Sequence, residues 1–126
     1  MSLRTPLKIA RHLGSAKEGA DHFYKQRVTA VANVFLGLFL VWLIASLIGA
    51  DHTTVRAKLA NPLIALALLA LVVSGTIHMR LGMQTIIEDY VNGEGMKIVL
   101  LMLNTFFAAF IALAGVFAIL KLSFGA

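Results

Sequence analysis

Apolar residues gather in three runs, at roughly 28–50, 62–87 and 98–120, separated by short polar stretches. Each run is close to the ~20 residues a helix needs to cross a hydrocarbon layer of ~30 Å. The pattern predicts an all-α membrane protein with three transmembrane helices, drawn at about 28–50, 62–91 and 97–120. Residues 1–27 form a polar, basic segment ahead of a membrane domain at 28–126. Between the first two runs lies DHTTVRAKLAN, read as a polar loop in which Asn61 and Pro62 suit an N-cap and a first helical position. Between the second and third, NGEG supplies glycines fit for a helix stop and a tight turn. No internal repeat or low-complexity tract interrupts this plan.

Composition sharpens the picture. Hydrophobic residues make up 60% of the 126, and the mean hydropathy is +0.88, more than a soluble globule of this size hides. The absence of cysteine excludes disulfides, iron–sulfur ligation and thiolate zinc sites within the chain. A net charge of +5 fits orientation signals on a membrane chain better than nucleic acid binding. Six Lys and Arg precede the first run and Lys97 follows the second, against Arg56, Lys58 and Lys121 on the other side. This bias predicts a cytoplasmic N-terminus. The N-terminal stretch lacks the apolar core of a secretory signal. Arg4, Lys8 and Arg11 would suit a mitochondrial transit peptide, whereas Glu18 and Asp21 would not, and a bacterial inner membrane is the expected location.

The second run carries polar residues while still at membrane depth, in HMRLGMQTIIEDYV at 78–91. If this helix runs inward, the sixteen steps from Pro62 to His78 cover ~24 Å, which sets His78 in the inner half of the bilayer. On a helix wheel Ser74, Gly75, Gly82, Thr85 and Asp89 fall within about 60° of His78. This small, weakly polar face admits a flat bulky ligand, with His78 as an axial ligand to haem iron. It equally suits a hydrogen-bonded packing histidine at a close helix contact. The face alone leaves both readings open. No other histidine lies in an apolar run: His12 and His22 precede the first, and His52 is in the loop. A second axial ligand would therefore come from another chain.

The pattern formed by His78, Gly82, Met83, Ile86, Asp89, Tyr90 and Val91, together with GSAKEGADHFYKQRVTAVANV at 14–34, closely resembles the hydrophobic membrane anchor family of succinate dehydrogenase, respiratory complex II. The resemblance covers nearly the whole chain, and the spacing from His78 to Asp89 and Tyr90 is its most specific part. It implies one of two membrane anchors that together hold the flavoprotein and iron–sulfur subunits on the membrane. It also implies a haem b shared with the second anchor subunit and a ubiquinone site. His78 then matches the haem b iron ligand and Arg27 the residue near the haem propionates, while Tyr90 and Asp89 match the ubiquinone site. Arg80 departs from the pattern of some relatives.

Each of these residues also has a plainer role. Tyr90 suits an interfacial aromatic, Asp89 a solvated acid at a helix end, and Arg27 with Lys25 a positive-inside anchor. Trp42 and the eight phenylalanines read as lipid-facing or packing residues. Asn104, Ala108 and Ala112 make a small-residue row suited to packing on a neighbouring helix. The sequence carries no nucleotide motif, metal-ligand cluster or nucleophile beside a base, so succinate oxidation is expected on a partner subunit. Two other functions stay in view: the anchor of a fumarate reductase, and a small homo-oligomeric membrane transport protein with His78 as a proton site.

Overall fold

The computed structural model describes residues 4–125, with side chains described from residue 19 onward. The side chains of Arg4, Lys8, Arg11, His12, Lys17 and Glu18, which entered the charge and ligand readings above, lie outside the described residues. The described residues form four helices and no strand: α1 (Arg4–Ser46), α2 (His52–Leu59), α3 (Pro62–Tyr90) and α4 (Glu94–Ser123). Three segments are long and apolar enough to span a bilayer: Gly19–Ser46, Pro62–Tyr90 and Glu94–Ser123, of 28, 29 and 30 residues. At about 1.5 Å per residue they measure about 42–45 Å, the thickness of a bilayer with its headgroups. The outward faces are apolar all round, with Phe35, Leu38, Phe110 and Phe117 each more than 60% exposed. Such a surface is stable only in an apolar solvent.

Helix boundaries follow local chemistry. Asn61 caps α3 by accepting from the Leu63 N–H at 2.9 Å, and Pro62 occupies the first turn, where its missing N–H costs nothing. The α3 helix stops at Tyr90, and Gly93 stands at the N-cap of α4, so three residues make the turn. Gly49 takes a φ of +80° just after α1, a conformation that side chains resist. Two features depart from the sequence reading. The α1 helix does not begin at the apolar run but continues from the polar segment, because that segment contains no residue that stops a helix between Gly19 and Val28. The polar loop contains α2, started by Asp51, whose carboxylate accepts from the Thr54 N–H at 2.9 Å, and favoured at its end by Arg56 and Lys58 near the negative pole of the helix. Lys58 ties α2 back to α1: its ammonium donates to Ser46 Oγ at 3.0 Å and lies 5.4 Å from the centre of the Trp42 ring.

The middle helix α3 organises the protein. It packs on α1 along one face and on α4 along another, both antiparallel, while the backbones of α1 and α4 do not approach one another closely among the described residues. Antiparallel pairing is visible in the partners: Thr29 meets His78 while Gln26 faces Gly82, and Asn104 meets Arg80 while Gly115 faces Val72. The α3–α4 seam is close at Gly115. A Cβ added at Gly115 would lie 2.8 Å from Val72 Cγ1, so only glycine lets the helices approach this far. The row predicted from Asn104 and Ala108 is buried here, against α3.

Candidate functional site

The α1–α3 seam has a different character. At a spacing of four, three and four residues, His22, Gln26, Thr29 and Asn33 form one stripe of α1, and the stripe turns toward α3. Thr29 is 8% exposed and stands at the middle. Its Oγ1 lies 3.1 Å from His78 Nδ1. The same hydroxyl donates to the Lys25 carbonyl at 2.8 Å, with the Gln26 carbonyl at 3.2 Å. A threonine hydroxyl has one proton, and here it is directed back along its own helix. With that proton committed to its own helix, Oγ1 is left to accept from the imidazole, which corresponds to the tautomer with the proton on Nδ1 and the lone pair on Nε2. One turn earlier, Ser74 Oγ donates to the Thr29 carbonyl at 3.3 Å, a second tie between the same pair of helices.

Part of the polar stripe read around His78 is therefore a helix contact. A Cβ at Gly82 would meet Gln26 Nε2 at 3.4 Å, an ordinary contact that places α1 beside this position without requiring glycine there. Gly75 is different: nothing lies within 4 Å of the position its Cβ would take. The imidazole thus has α1 on one side and open space over Gly75 on the other. Three buried polar atoms of the facing stripe, His22 Nε2, Gln26 Oε1 and Asn33 Oδ1, find no partner among the described residues. Buried polar groups are seldom left unpaired, so the seam is chemically incomplete as it stands. Among the described residues no three of His, Cys, Asp or Glu gather around a point. The residues present fit a haem iron: an imidazole whose Nδ1 is engaged by Thr29 and whose Nε2 makes no hydrogen bond among the described residues, one turn from a bare Gly75.

The other residues singled out by sequence do not converge on this point. Arg27 lies off the α3-facing stripe, exposed, with its guanidinium carbon 4.9 Å from the centre of the Phe23 ring. Lys25 pairs with Asp21 at 2.9 Å on the helix surface, a contact of little energetic weight in water. Asp89 and Tyr90 stand at the end of α3, twelve steps or about 18 Å beyond His78 in the case of Tyr90. They leave the helix on different faces. Tyr90 borders an open apolar groove of ≈ 610 Å³ between α3 and α4, lined also by Met83, Ile86, Leu103 and Phe107, and Asp89 does not. The phenol itself is 78% exposed. Arg80 lies on the α4 side, its Nε 3.4 Å from Thr105 Oγ1, and the Asn104 amide donates to the Arg80 carbonyl at 3.0 Å.

Thr29 escaped the sequence reading. Its signal was present in the polar stripe at positions 22, 26, 29 and 33, which enters an otherwise apolar run and marks the side of α1 that must be covered.

Fold and site together define a three-span, multi-pass membrane anchor with an intramembrane histidine and a groove opening beside an interfacial phenol. The profile of the Succinate dehydrogenase/Fumarate reductase transmembrane subunit family matches residues 1–116, and the chain belongs to that family. The succinate dehydrogenase hydrophobic membrane anchor subunit of Paracoccus denitrificans is 34% identical over 97% of this chain and 94% of its own length. The proteins of the same description from Rickettsia bellii and Rickettsia conorii are 29% and 32% identical, over 92% and 87% of this chain and 93% and 88% of their own. No solved structure gives a significant match. The chain is a membrane anchor subunit of the succinate dehydrogenase type, as the resemblance implied.

Proposed function

We propose that this chain works with a second anchor subunit to hold the flavoprotein and iron–sulfur subunits of succinate dehydrogenase on a bacterial inner membrane, and that it contributes to a haem b site and a ubiquinone site. Residues 1–27 form its cytoplasmic segment and 28–126 its membrane domain. The excess of Lys and Arg before the first span supports that orientation. Succinate is oxidised on a partner subunit, and electrons reach ubiquinone at the membrane.

The observation that carries the reading is the state of His78: its Nδ1 is tied to Thr29 Oγ1 at 3.1 Å, and its other nitrogen is left to coordinate. Haem, when bound, supplies a one-electron centre beside the quinone. The share of this chain is to offer the His78 lone pair, to leave Gly75 bare where a ring must approach, and to provide Arg27 for a propionate, which a guanidinium pairs in bidentate fashion. Arg27 reaches that role by leaving its rest position over Phe23.

At the end of α3, Tyr90 donates its phenolic O–H to a ubiquinone carbonyl. That hydrogen bond strengthens as negative charge develops on the oxygen during reduction, and a neutral donor polarises it without burying a charge. The apolar α3–α4 groove beside Tyr90 suits the hydrocarbon part of the substrate. Asp89, exposed on the neighbouring face, admits protons from the aqueous side.

The test is His78→Ala in the purified complex. The reduced-minus-oxidised b-type absorption band is expected to shift or vanish while flavin content is retained. An unchanged band would remove His78 as the ligand.

A further inference from the structure

We infer that Thr29 is a positioning residue for the haem ligand: its hydroxyl, locked by the Lys25 carbonyl, accepts the Nδ1 proton of His78 and so fixes the ring's tautomer, its rotation and the donor strength of Nε2. The inference rests on His78 being the ligand, as proposed above.

Three observations carry it. The first is the order of hydrogen bonds. Oγ1 is 2.8 Å from the Lys25 carbonyl and 3.1 Å from Nδ1; the hydroxyl has one proton, and with it on the shorter contact the imidazole supplies the proton of the longer one. A metal-binding histidine needs this arrangement, because the proton must sit on the nitrogen away from the metal, and an acceptor for it raises the basicity of the coordinating nitrogen. The second is burial. Thr29 is 8% exposed, so water does not compete for either bond. The third is that the support is held in place: Ser74 Oγ donates to the Thr29 carbonyl at 3.3 Å, and the Gln26 side chain of α1 lies over Gly82. The acceptor is therefore fixed to a helix that is itself fixed to α3, four residues before and after the histidine.

A merely structural Thr29 would join α1 to α3 and do nothing to the iron. The distinguishing readouts are the haem midpoint potential and the rate at which haem passes to excess apomyoglobin, both measured on the intact complex with all its partner subunits. Thr29→Val keeps the shape and removes the acceptor. It should raise the potential, because a less electron-rich imidazole stabilises ferric iron less, and it should speed haem loss by about ten- to a hundredfold. Thr29→Ser keeps the hydroxyl and should return both values to those of the parent. If Thr29→Val does not assemble, Thr29→Ala and Thr29→Ser form a pair that differs by one oxygen atom, and the alanine variant should show the raised potential and faster loss. Parental values in Thr29→Val overturn the inference, as does a serine variant that behaves like valine or alanine. His78→Ala separates the two levels. An unchanged haem band there overturns the ligand reading and this inference with it, whereas a perturbed band with a parental Thr29→Val overturns this inference alone.

Discussion

The two faces of α3 solve the problem of helix contact in opposite ways. Toward α4 it presents Val72 and Thr76 to Gly115 and Ala108, and Thr76 turns its hydroxyl back to the Val72 carbonyl at 2.7 Å, so little polar capacity is left over. Toward α1 it presents Ser74, His78 and Gly82 to a stripe of four polar side chains, three of which keep a buried atom unpaired among the described residues. Lipid gives no hydrophobic reward for joining helices, so a lasting contact needs either close van der Waals packing or shared hydrogen bonds. The α4 side relies mainly on packing, helped by the Asn104 amide on the Arg80 carbonyl. The α1 side uses hydrogen bonds and leaves some of them open, which is what a contact looks like when something from outside must finish it.

That contrast can be broken at four points. The largest effect is expected from Gly115→Val. A single Cβ there already falls 2.8 Å from Val72 Cγ1, and valine on a helix has little rotamer freedom to retreat. The packed seam should lose about 1–3 kcal/mol, read as a lower unfolding midpoint of the purified complex in denaturant. A parental midpoint would mean that the seam is looser than its geometry implies. Next comes Tyr90→Phe, at the mouth of the groove on the same side. Ubiquinone reduction should fall about tenfold, the worth of one hydrogen bond of ~1.4 kcal/mol in a transition state, with succinate oxidation by an artificial acceptor unchanged. If both activities fell together, the phenol would have no specific place at the quinone.

Smaller again is Asn104→Leu, which removes the amide that α4 sends to the Arg80 carbonyl. Because that carbonyl keeps its helical environment, the loss should be only ~0.6 kcal/mol, the average for hydrogen bonds between membrane helices, measurable in the same denaturation assay. A loss as large as that of Gly115→Val would show that the α4 seam also depends on hydrogen bonds. The least effect concerns α2, outside both seams. The Thr54 side chain and then its backbone N–H hold the Asp51 carboxyl below its ordinary value of 3.8. A carboxylate whose folded value is depressed contributes fully above its unfolded value, and the contribution fades as pH falls through the folded one. The protection of the Val55 amide against exchange in detergent, taken relative to its intrinsic rate at each pH, should therefore fall below pH 3.8. Asp51→Asn should keep the cap and abolish that dependence.

Much of this was legible in the sequence, for reasons that differ by residue. The three spans announce themselves by length and apolarity, and Asn61-Pro62 marks a helix start through backbone chemistry that acts within a few residues. His78 stands out because an ionisable side chain at membrane depth is costly and rare. The Asn104 and Ala108 row was visible as a packing surface, but its closest point, Gly115, was not, since a glycine in an apolar helix has no local cue to the neighbour it admits. Thr29 was hidden for the same reason. Its bond to His78 joins residues forty-nine apart, and nothing local to either names the other. The helix inside the polar loop was missed because α2 has eight residues and depends on its Asp51 cap rather than on an apolar face.

The sequence of contacts around α3 also constrains how the protein is made. Fifteen residues separate α1 from α3, whereas three separate α3 from α4. A ribosome thus delivers the first span before its internal counterpart has been synthesised. Until positions 74–82 are threaded, His22, Gln26, Thr29 and Asn33 have nothing on a later span to lean on and would pull that span toward water or toward a waiting companion subunit. The second and third spans, joined by the shortest connection, can enter as a hairpin, whereas the polar seam joins two spans whose connection is five times as long.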